Sequence, residues 1–219
     1  MGSGWEATDF DRARVRMVEE QLKQRGISDT RVLDAMRSVP RELFVPDDLR
    51  HCAYEDRALQ IAANQTISQP FVVALMLQLA RIGAQDVVLE VGAGSGYAAA
   101  VIGRMARAVF AIERHEQLVT TARSNLERAC IRNVRVIRGD GTRGLPDEAP
   151  FDAIVVSAGG SIPPALKVQL ARGGRLVIPV ERDGQQTLER LTRRLDDTFE
   201  EERHGPVSFV PLVTGLPGR

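Results

Sequence analysis

Short apolar runs alternate with stretches of helical periodicity from residue 70 onward. A helix is predicted from Pro70 to about Ile82, with Pro70 at its first position, where the missing N–H is not needed. Five runs of four to six mostly apolar residues follow, and each is typical of a buried strand. This alternation predicts an α/β protein with a doubly wound parallel sheet covered on both faces. The predicted strands lie at 87–91, 108–112, 134–137, 151–156 and 175–180.

The chain from residue 9 to about residue 39 has helical spacing and predicts added N-terminal helices. Gly26 interrupts the pattern, and Ser28 or Asp29 is a candidate N-cap for the second helix. The apolar faces are predicted to consist of Val15, Val18 and Leu22 in the first helix and Val32, Leu33 and Met36 in the second.

No periodicity is visible between residues 40 and 70. Pro40 and Pro46 bracket an apolar triplet, and the segment ends in the sequence QTISQP. A long irregular segment within a compact chain is usually functional or disordered, and the apolar residues here argue against disorder. We therefore predict an active-site lid.

The end of the chain supports two interpretations. Leu188, Leu191 and Leu195 have helical spacing, whereas the pairs 183–184 and 196–197 are turn signals and residues 207–210 alternate as in a strand. We favour two C-terminal strands, at about 186–194 and 198–211.

A glycine-rich turn follows the first predicted strand directly. Gly92, Gly94 and Gly96 permit positive φ and a close approach of backbone N–H groups to a ligand at a helix start. A dinucleotide fingerprint would need its third glycine at position 97, which is Tyr97. Glu90 is a carboxylate that could meet an ammonium group, but a glycine-rich turn alone is also common as a plain structural turn.

Acidic residues follow the next two strands. Glu113 lies about 20 residues beyond the glycines, where an acid can bind two ribose hydroxyls. Asp140, with Gly141 beside it, could reach an adenine edge. Either acid alone could be a helix cap or a solvated loop residue. However, Glu90, Glu113 and Asp140 lie at the carboxyl ends of three successive predicted strands. Together they describe a ligand with adenosine, an amino acid moiety and no phosphate, which is S-adenosylmethionine.

Charge and hydropathy exclude several other classes of protein. Lys and Arg number 29, as do Asp and Glu, so no overall positive field favours nucleic acid. No apolar run reaches about 18 residues, which predicts no membrane span and a cytoplasmic location. Residues 1–8 are predicted to be a flexible leader.

The cysteines and histidines show no pattern of a metal site. Cys52 and Cys130 form no C-x-x-C motif, and His51, His115 and His204 lack ligand spacing to them. We do not interpret His51 and Cys52 as a catalytic pair, because neighbouring residues on a helix or strand point in different directions. We predict reduced thiols and no metal.

Eight segments between about residues 15 and 213 resemble the protein-L-isoaspartate (D-aspartate) O-methyltransferase family. The glycine turn is shared by many methyltransferases, whereas the segment at 65–70 is nearly diagnostic of this family. The segments are VPRELFVP (39–46), AYEDR (53–57), QTISQP (65–70), EVGAGSGY (90–97), GDGT (139–142), APFDAI (149–154), GGRLVIP (173–179) and FVPLV (209–213).

The resemblance implies a Rossmann-like methyltransferase and assigns further site residues. It places Thr66 and Ser68 beside the sulfonium and the substrate carboxylate, with Ser68 as the usual active-site residue. Without the resemblance, Ser68 would be interpreted as an N-cap next to Pro70. The substrate-binding residues that it implies are Gln65, Ile67, Val210 and Pro211.

The same resemblance implies the reaction and its partners. The chain is expected to use S-adenosylmethionine to methylate the α-carboxylate of L-isoaspartyl residues in damaged proteins and peptides, which starts repair through a succinimide. We expect a monomer with one methyltransferase domain over 1–219, in which residues 9–70 form the N-terminal helices and the lid and residues 71–219 form the cofactor-binding core.

One departure from the family keeps alternatives open. Members usually have a glycine-containing run before the Gln, often Ile-Gly-Tyr-Gly, whereas this chain has Ile-Ala-Ala-Asn at 61–64. Loss of an aromatic residue and two glycines changes backbone freedom and pocket volume. This would permit a related O-methyltransferase that acts on aspartates of a dedicated peptide or small molecule. A third alternative, a noncatalytic adenosine-binding module, is disfavoured by intact Thr66, Ser68 and Asp140.

Overall fold

The computed structural model describes residues 6–217, which form six α-helices and nine strands. The helices are α1 (Ala7–Arg16), α2 (Thr30–Ser38), α3 (Pro70–Ala80), α4 (Tyr97–Gly103), α5 (Glu116–Arg128) and α6 (Pro164–Gln169). The strands are β1 (Leu59–Gln60), β2 (Thr66–Ile67), β3 (Val87–Val91), β4 (Ala108–Glu113), β5 (Val134–Arg138), β6 (Phe151–Val156), β7 (Leu170–Arg182), β8 (Gln185–Arg193) and β9 (Phe199–Val207).

Seven strands form one sheet in the order β5-β4-β3-β6-β7-β8-β9. The strands from β5 to β7 are parallel to one another, and β8 and β9 are added antiparallel. The chain proceeds from β3 outward to β5 and then returns to place β6 on the other side of β3. The carboxyl ends of β3 and β6 therefore flank the topological switch point, where ligands of open α/β sheets bind. The predicted doubly wound fold is confirmed.

The N-terminal helices confirm the break at Gly26 and the cap at Asp29. Gly26 has φ +96°, and the Asp29 carboxylate accepts a hydrogen bond of 3.0 Å from the Arg31 N–H. A π-helical turn at Met17–Leu22 and a 3₁₀ turn at Lys23–Arg25 separate α1 from Gly26.

The predicted apolar face of the first helix is wrong at Val15. Val18 and Leu22 are buried, but Val15 is 47% exposed and Met17 is buried in its place. A π-helical turn is wider than an α-helical turn, so it rotates the following residues relative to those before it. Spacing that assumes a regular α-helix consequently fails across Met17.

The irregular segment between α2 and α3 is packed against the rest of the protein. It contains 3₁₀ turns at Arg41–Leu43, Asp47–Cys52 and Ala62–Asn64, and β1 and β2 form a short antiparallel hairpin. Arg41, Phe44 and Ala53 are fully or almost fully buried. This segment supplies one wall of the site described below.

The C-terminal strands confirm the strand interpretation of residues 186–194 over the helical one. Leu188 and Leu191 lie on opposite faces of β8 and contact different hydrophobic clusters, while Leu195 lies in a turn and is exposed. A strand that is covered on both faces can thus have buried leucines three residues apart, a spacing that is also typical of a helix.

The second C-terminal strand is shorter than predicted. β9 ends at Val207, and the chain then crosses toward the loop after β6. The Gly159 N–H donates to the Val210 carbonyl at 2.8 Å, and the Leu212 N–H donates to the Gly159 carbonyl at 2.7 Å. These two bonds turn residues 208–213 away from β8 and toward the switch point.

No helix among residues 6–217 combines the length and the apolar character required to cross a membrane.

Candidate active site

A cavity opens at the carboxyl ends of β3, β4 and β6. It is enclosed by the β1–β2 hairpin on one side and by the chain after β9 on the other. Its main lining segments are residues 65–68, 90–95, 112–115, 157–158 and 210–213. Residues distant in sequence therefore meet at the predicted edge of the sheet.

The glycine turn has left-handed backbone at alternate positions. Gly92 and Gly94, with φ of +88° and +54°, line the cavity. Gly96 has φ +89° but is not among the lining residues. A Cβ at Gly96 would lie 3.2 Å from the Ala122 Cβ, so this glycine permits close packing against α5. Two of the three glycines thus contribute to the ligand cavity and the third to the support of the turn.

Glu113 is held in place by backbone donors on both of its oxygens. Its Oε2 accepts from the Gly94 N–H and its Oε1 from the His115 N–H, each at 2.9 Å. The side chain is buried and lines the cavity. A carboxylate oxygen has more than one lone-pair site, so both oxygens can still accept from a pair of ligand hydroxyls.

Glu90 lies in the same cavity, but its two oxygens are not both held in this way. It is 1% exposed, and its Oε2 has no hydrogen-bond partner among the residues described. Burial, and then the negative charge of Glu113, raise the pKa of the Glu90 carboxyl well above its ordinary value. A buried carboxyl with a free oxygen fits a ligand that brings a cationic donor, because such a donor would satisfy the oxygen and stabilise its charge. The buried Ser95 hydroxyl, also without a partner in residues 6–217, adds a second polar group to this wall.

Asp140 does not line the cavity. Its Oδ1 accepts from the N–H and hydroxyl of Thr142 at 2.9 and 2.7 Å, and its Oδ2 accepts from the Gly215 N–H at 2.7 Å. Burial acts to raise the pKa of Asp140, but the bonds from Thr142 and Gly215 lower it overall. The neighbouring Gly141 does line the cavity, and a Cβ there would lie 2.4 Å from the Val91 side chain. The structure thus brings Glu90, Glu113 and Gly141 together at the cavity. Asp140 is instead hydrogen-bonded to Thr142 and Gly215.

The hairpin places Thr66 and Ser68 where two cavities meet. An outer groove, lined in part by Arg57 and Phe209, shares four residues with the inner cavity. The shared residues are Thr66, Ser68, Ser157 and Val210. Any transfer between a molecule in the inner cavity and one in the groove would occur beside these side chains.

The N-cap interpretation of Ser68 is wrong. The N-cap residue of α3 is Gln69, and no side chain caps this helix. Pro70 occupies the first turn, which lowers the number of N–H groups that need a partner.

The four predicted substrate-binding residues all line the inner cavity. Ile67 is buried and pairs with Leu59 in the hairpin. The Gln65 amide donates to the Ala63 carbonyl at 3.1 Å. Val210 and Pro211 are held by the loop after β6 through Gly159.

Sequence reasoning missed Ser157, Arg114 and His115 as lining residues. Ser157 directly follows β6, so the rule that drew attention to Glu113 would also have found it. Arg114 and His115 follow Glu113 and lacked any signal of their own. No group of three His, Cys, Asp or Glu residues in the described part of the chain could hold a metal ion.

Comparison with known proteins identifies the family. A family model described as protein-L-isoaspartate (D-aspartate) O-methyltransferase matches residues 13–216. The chain belongs to this family. The protein-L-isoaspartate O-methyltransferase of Methylorubrum extorquens is 58% identical over 209 residues, which cover 95% of this chain and 91% of that one. The enzyme of the same name from Methanoculleus marisnigri is 49% identical over 95% of this chain and 94% of its own length.

A solved structure of similar fold was determined with a bound ligand. A protein-L-isoaspartate O-methyltransferase from Plasmodium falciparum, in complex with S-adenosyl-L-homocysteine, superposes with a TM-score of 0.81 at 28% identity. The match covers 92% of this chain and 99% of that one. The predicted family, enzyme class and use of S-adenosylmethionine as cofactor are confirmed by these relatives.

Proposed function

We propose that this chain transfers the methyl group of S-adenosylmethionine to the α-carboxylate of L-isoaspartyl residues in damaged proteins and peptides. The observation that carries the proposal is the junction at Thr66 and Ser68, where the acidic inner cavity opens into the outer groove. We assign the cofactor to the inner cavity, which contains Glu90 and Glu113, and the peptide to the outer groove. Away from the enzyme, the following backbone amide nitrogen would attack the ester carbonyl and expel methanol, which gives a succinimide that water hydrolyses partly to aspartate.

The cofactor would be held by the groups with unused acceptor capacity. Glu113 would accept from the two ribose hydroxyls, and Glu90 from the amino group of the methionine moiety. Gly92, Gly94 and Gly141 let the ligand approach the backbone closely. The Asp140 Oδ2 accepts one bond, from the Gly215 N–H, so by the same lone-pair argument it retains capacity for a donor at the adenine edge.

The chemistry requires alignment more than proton transfer. S-adenosylmethionine supplies a methyl group that is already activated by the sulfonium. A carboxylate with an ordinary pKa of about 4 is ionised at neutral pH, so no general base has to act on it. The hydroxyls of Ser68 and Thr66 would orient the acceptor oxygen in line with the methyl group, and the hairpin would limit access of water.

Labelled methyl transfer to matched peptides tests the reaction. An isoaspartyl peptide should acquire base-labile label, as a methyl ester does, and its aspartyl twin should not. Label that is stable to base, or equal labelling of both twins, would contradict the proposal.

Replacement of Ser68 tests the assignment of the acceptor site. Ser68→Ala should lower kcat by about tenfold to a hundredfold, the cost of one positioning hydrogen bond, and leave the affinity for S-adenosylhomocysteine unchanged. Ser38→Ala is a matched control, since the Ser38 hydroxyl donates to the Ala35 carbonyl at the end of α2, remote from the cavity lining. Normal turnover by Ser68→Ala would remove Ser68 from the site.

A further inference from the structure

Arg41 joins the Ser68 backbone to the packed segment that precedes it. The residue is 0% exposed. Its Nε donates to the Ala53 carbonyl at 2.7 Å, and its Nη2 donates to the Ser68 carbonyl at 2.8 Å. The planar guanidinium presents its donors in a fixed fork, so these two bonds together fix the separation of the two backbone segments.

The same guanidinium also contacts Tyr97, a second residue that lines the cavity. Its central carbon lies 4.6 Å from the centroid of the Tyr97 ring, over the ring face. Tyr97 begins α4 directly after the glycine turn and lines the inner cavity. Arg41 thus contacts two parts of the site. One is Ser68, which follows β2 and carries the proposed acceptor-site hydroxyl, and the other is Tyr97, which follows the glycine turn.

No carboxylate among residues 6–217 forms an ion pair with Arg41. The neighbouring Glu42 is engaged with Tyr54 and Arg14 instead, and the Arg41 Nη1 has no hydrogen-bond partner in the described structure. A buried cation without a counterion is destabilising unless dipoles and aromatic faces compensate it. Here the compensating groups are the carbonyls of Ala53 and Ser68 and the Tyr97 ring, so displacement of any of them is opposed.

We propose that Arg41 is a positioning residue for methyl transfer, which fixes the backbone at Ser68 and thereby the hydroxyl that orients the acceptor carboxylate. This inference rests on the proposed role of Ser68. Arg41 is not a cavity-lining residue, so its effect reaches the reaction through Ser68 and not through contact with substrate.

The substitution Arg41→Lys keeps the positive charge but removes the planar guanidinium that donates to the Ala53 and Ser68 carbonyls at once. We expect kcat to fall by about tenfold to a hundredfold, as for other misplacements of about one ångström, with S-adenosylhomocysteine affinity within about twofold of the wild type. Arg175→Lys is the matched control. The Arg175 guanidinium also joins backbone carbonyls, in its case three, those of Ala80 and Arg81 at the far end of α3 and that of Gly173. The Arg175→Lys variant should have a lower melting temperature than the wild type without a comparable loss of kcat.

A double-mutant cycle distinguishes positioning from general damage. If Arg41 acts through Ser68, Arg41→Lys should cost little further kcat in a Ser68→Ala background, so the two effects should be strongly non-additive. Full additivity, or unchanged kcat in Arg41→Lys while Ser68→Ala is impaired, would overturn the inference and leave the proposed function intact. Unchanged kcat in Ser68→Ala would overturn both roles. Should Arg41→Lys fail to fold, Arg41→Gln, which retains amide donors, replaces it in the same cycle.

Discussion

At the scale of single residues, the cofactor cavity contains two carboxyl groups in contrasting surroundings. Glu113 accepts two backbone hydrogen bonds, whereas the Glu90 Oε2 accepts none within residues 6–217. Burial disfavours the charged form of Glu90 and raises its pKa. We therefore expect replacement of either residue to change cofactor affinity, and replacement of Glu90 to change the pH dependence of stability and affinity as well.

Glu113→Gln is expected to weaken cofactor binding. The substitution keeps the shape but turns an amide NH₂ toward either the Gly94 or the His115 N–H, so one donor loses its acceptor. Affinity for S-adenosylhomocysteine should fall by about 1–3 kcal/mol, measured by calorimetry. NAD should bind neither protein, since the cavity has no completed phosphate site. Glu148→Gln, which removes a surface ion pair with Arg135, is the control and should bind as the wild type does.

Glu90→Gln is expected to stabilise the protein without cofactor while weakening cofactor binding. Because the pKa of Glu90 is raised in the folded state, folding takes up a proton between the ordinary pKa and the raised one. Stability of the wild type therefore falls as pH rises through that window, and glutamine removes this loss. The melting temperature of the variant should exceed that of the wild type above the window but not below it.

The affinity of the wild type for S-adenosylhomocysteine should rise with pH through the same window, because a cationic amino group favours ionised Glu90. The affinity of the Glu90→Gln variant should not change through this window. At the upper end of the window its binding free energy should be weaker than that of the wild type by about 1.5–3 kcal/mol. Parallel pH profiles for the two proteins would exclude contact between Glu90 and the amino group.

At the scale of elements, the turn at Ala62–Asn64 has an unusual backbone. Ala63 and Asn64 have φ of +57° and +53°, and only glycine adopts this region without steric cost, with asparagine next. The turn adjoins the site, since the Ile61 side chain lies 3.5 Å from where a Gly94 Cβ would be. The departure from the family's glycine-containing sequence therefore introduces strain next to the glycine turn.

Ala63→Gly is expected to stabilise the protein by about 0.5–1 kcal/mol, since relief of the left-handed strain exceeds the entropy lost by glycine on folding. Ala62→Gly is the matched control. Ala62 has no positive φ, so glycine there should be neutral or destabilising. Thermal unfolding of both variants checks the difference, and equal effects would show that the backbone of Ala63 is not strained.

Much of this architecture was predictable because buried parallel strands leave nearly continuous apolar runs. The failures have local physical causes. The π-helical turn at Met17–Leu22 breaks helical periodicity, and the bonds to Gly159 end β9 earlier than its alternating residues suggest. Neither cause has a signature in single-residue propensity.

The site was predictable where a residue's role follows from its place at a strand end. Glu90, Glu113 and the glycine turn were found in this way. Asp140 follows the same rule, yet it caps the turn after β5 instead of facing the cavity. Arg41 could not have been found, since its contacts with Ala53 and Ser68 depend on how the irregular segment packs.

At the scale of the whole molecule, the junction between cavity and groove is assembled from three separate parts of the chain. Ser68 comes from the hairpin, Ser157 from the end of β6 and Val210 from the segment after β9. Alignment of cofactor and acceptor thus depends on the complete fold. An acceptor carboxylate displaced along the groove would lose that alignment even if the peptide still bound.

Substrate choice is the consequence that tests this assembly most directly. The isoaspartyl α-carboxylate is attached to Cα, whereas the aspartyl side-chain carboxylate is one methylene farther out. A displacement of about one ångström costs roughly a hundredfold where alignment supplies the catalysis, so kcat/KM should favour an isoaspartyl peptide over its aspartyl twin by at least about a hundredfold. The preference should hold across unrelated peptide sequences. Replacing residues 62–64 with the family's Gly-Tyr-Gly should change which flanking side chains are accepted but not the preference itself. Equal rates on the twins, or activity confined to one peptide, would instead favour an O-methyltransferase with a dedicated substrate.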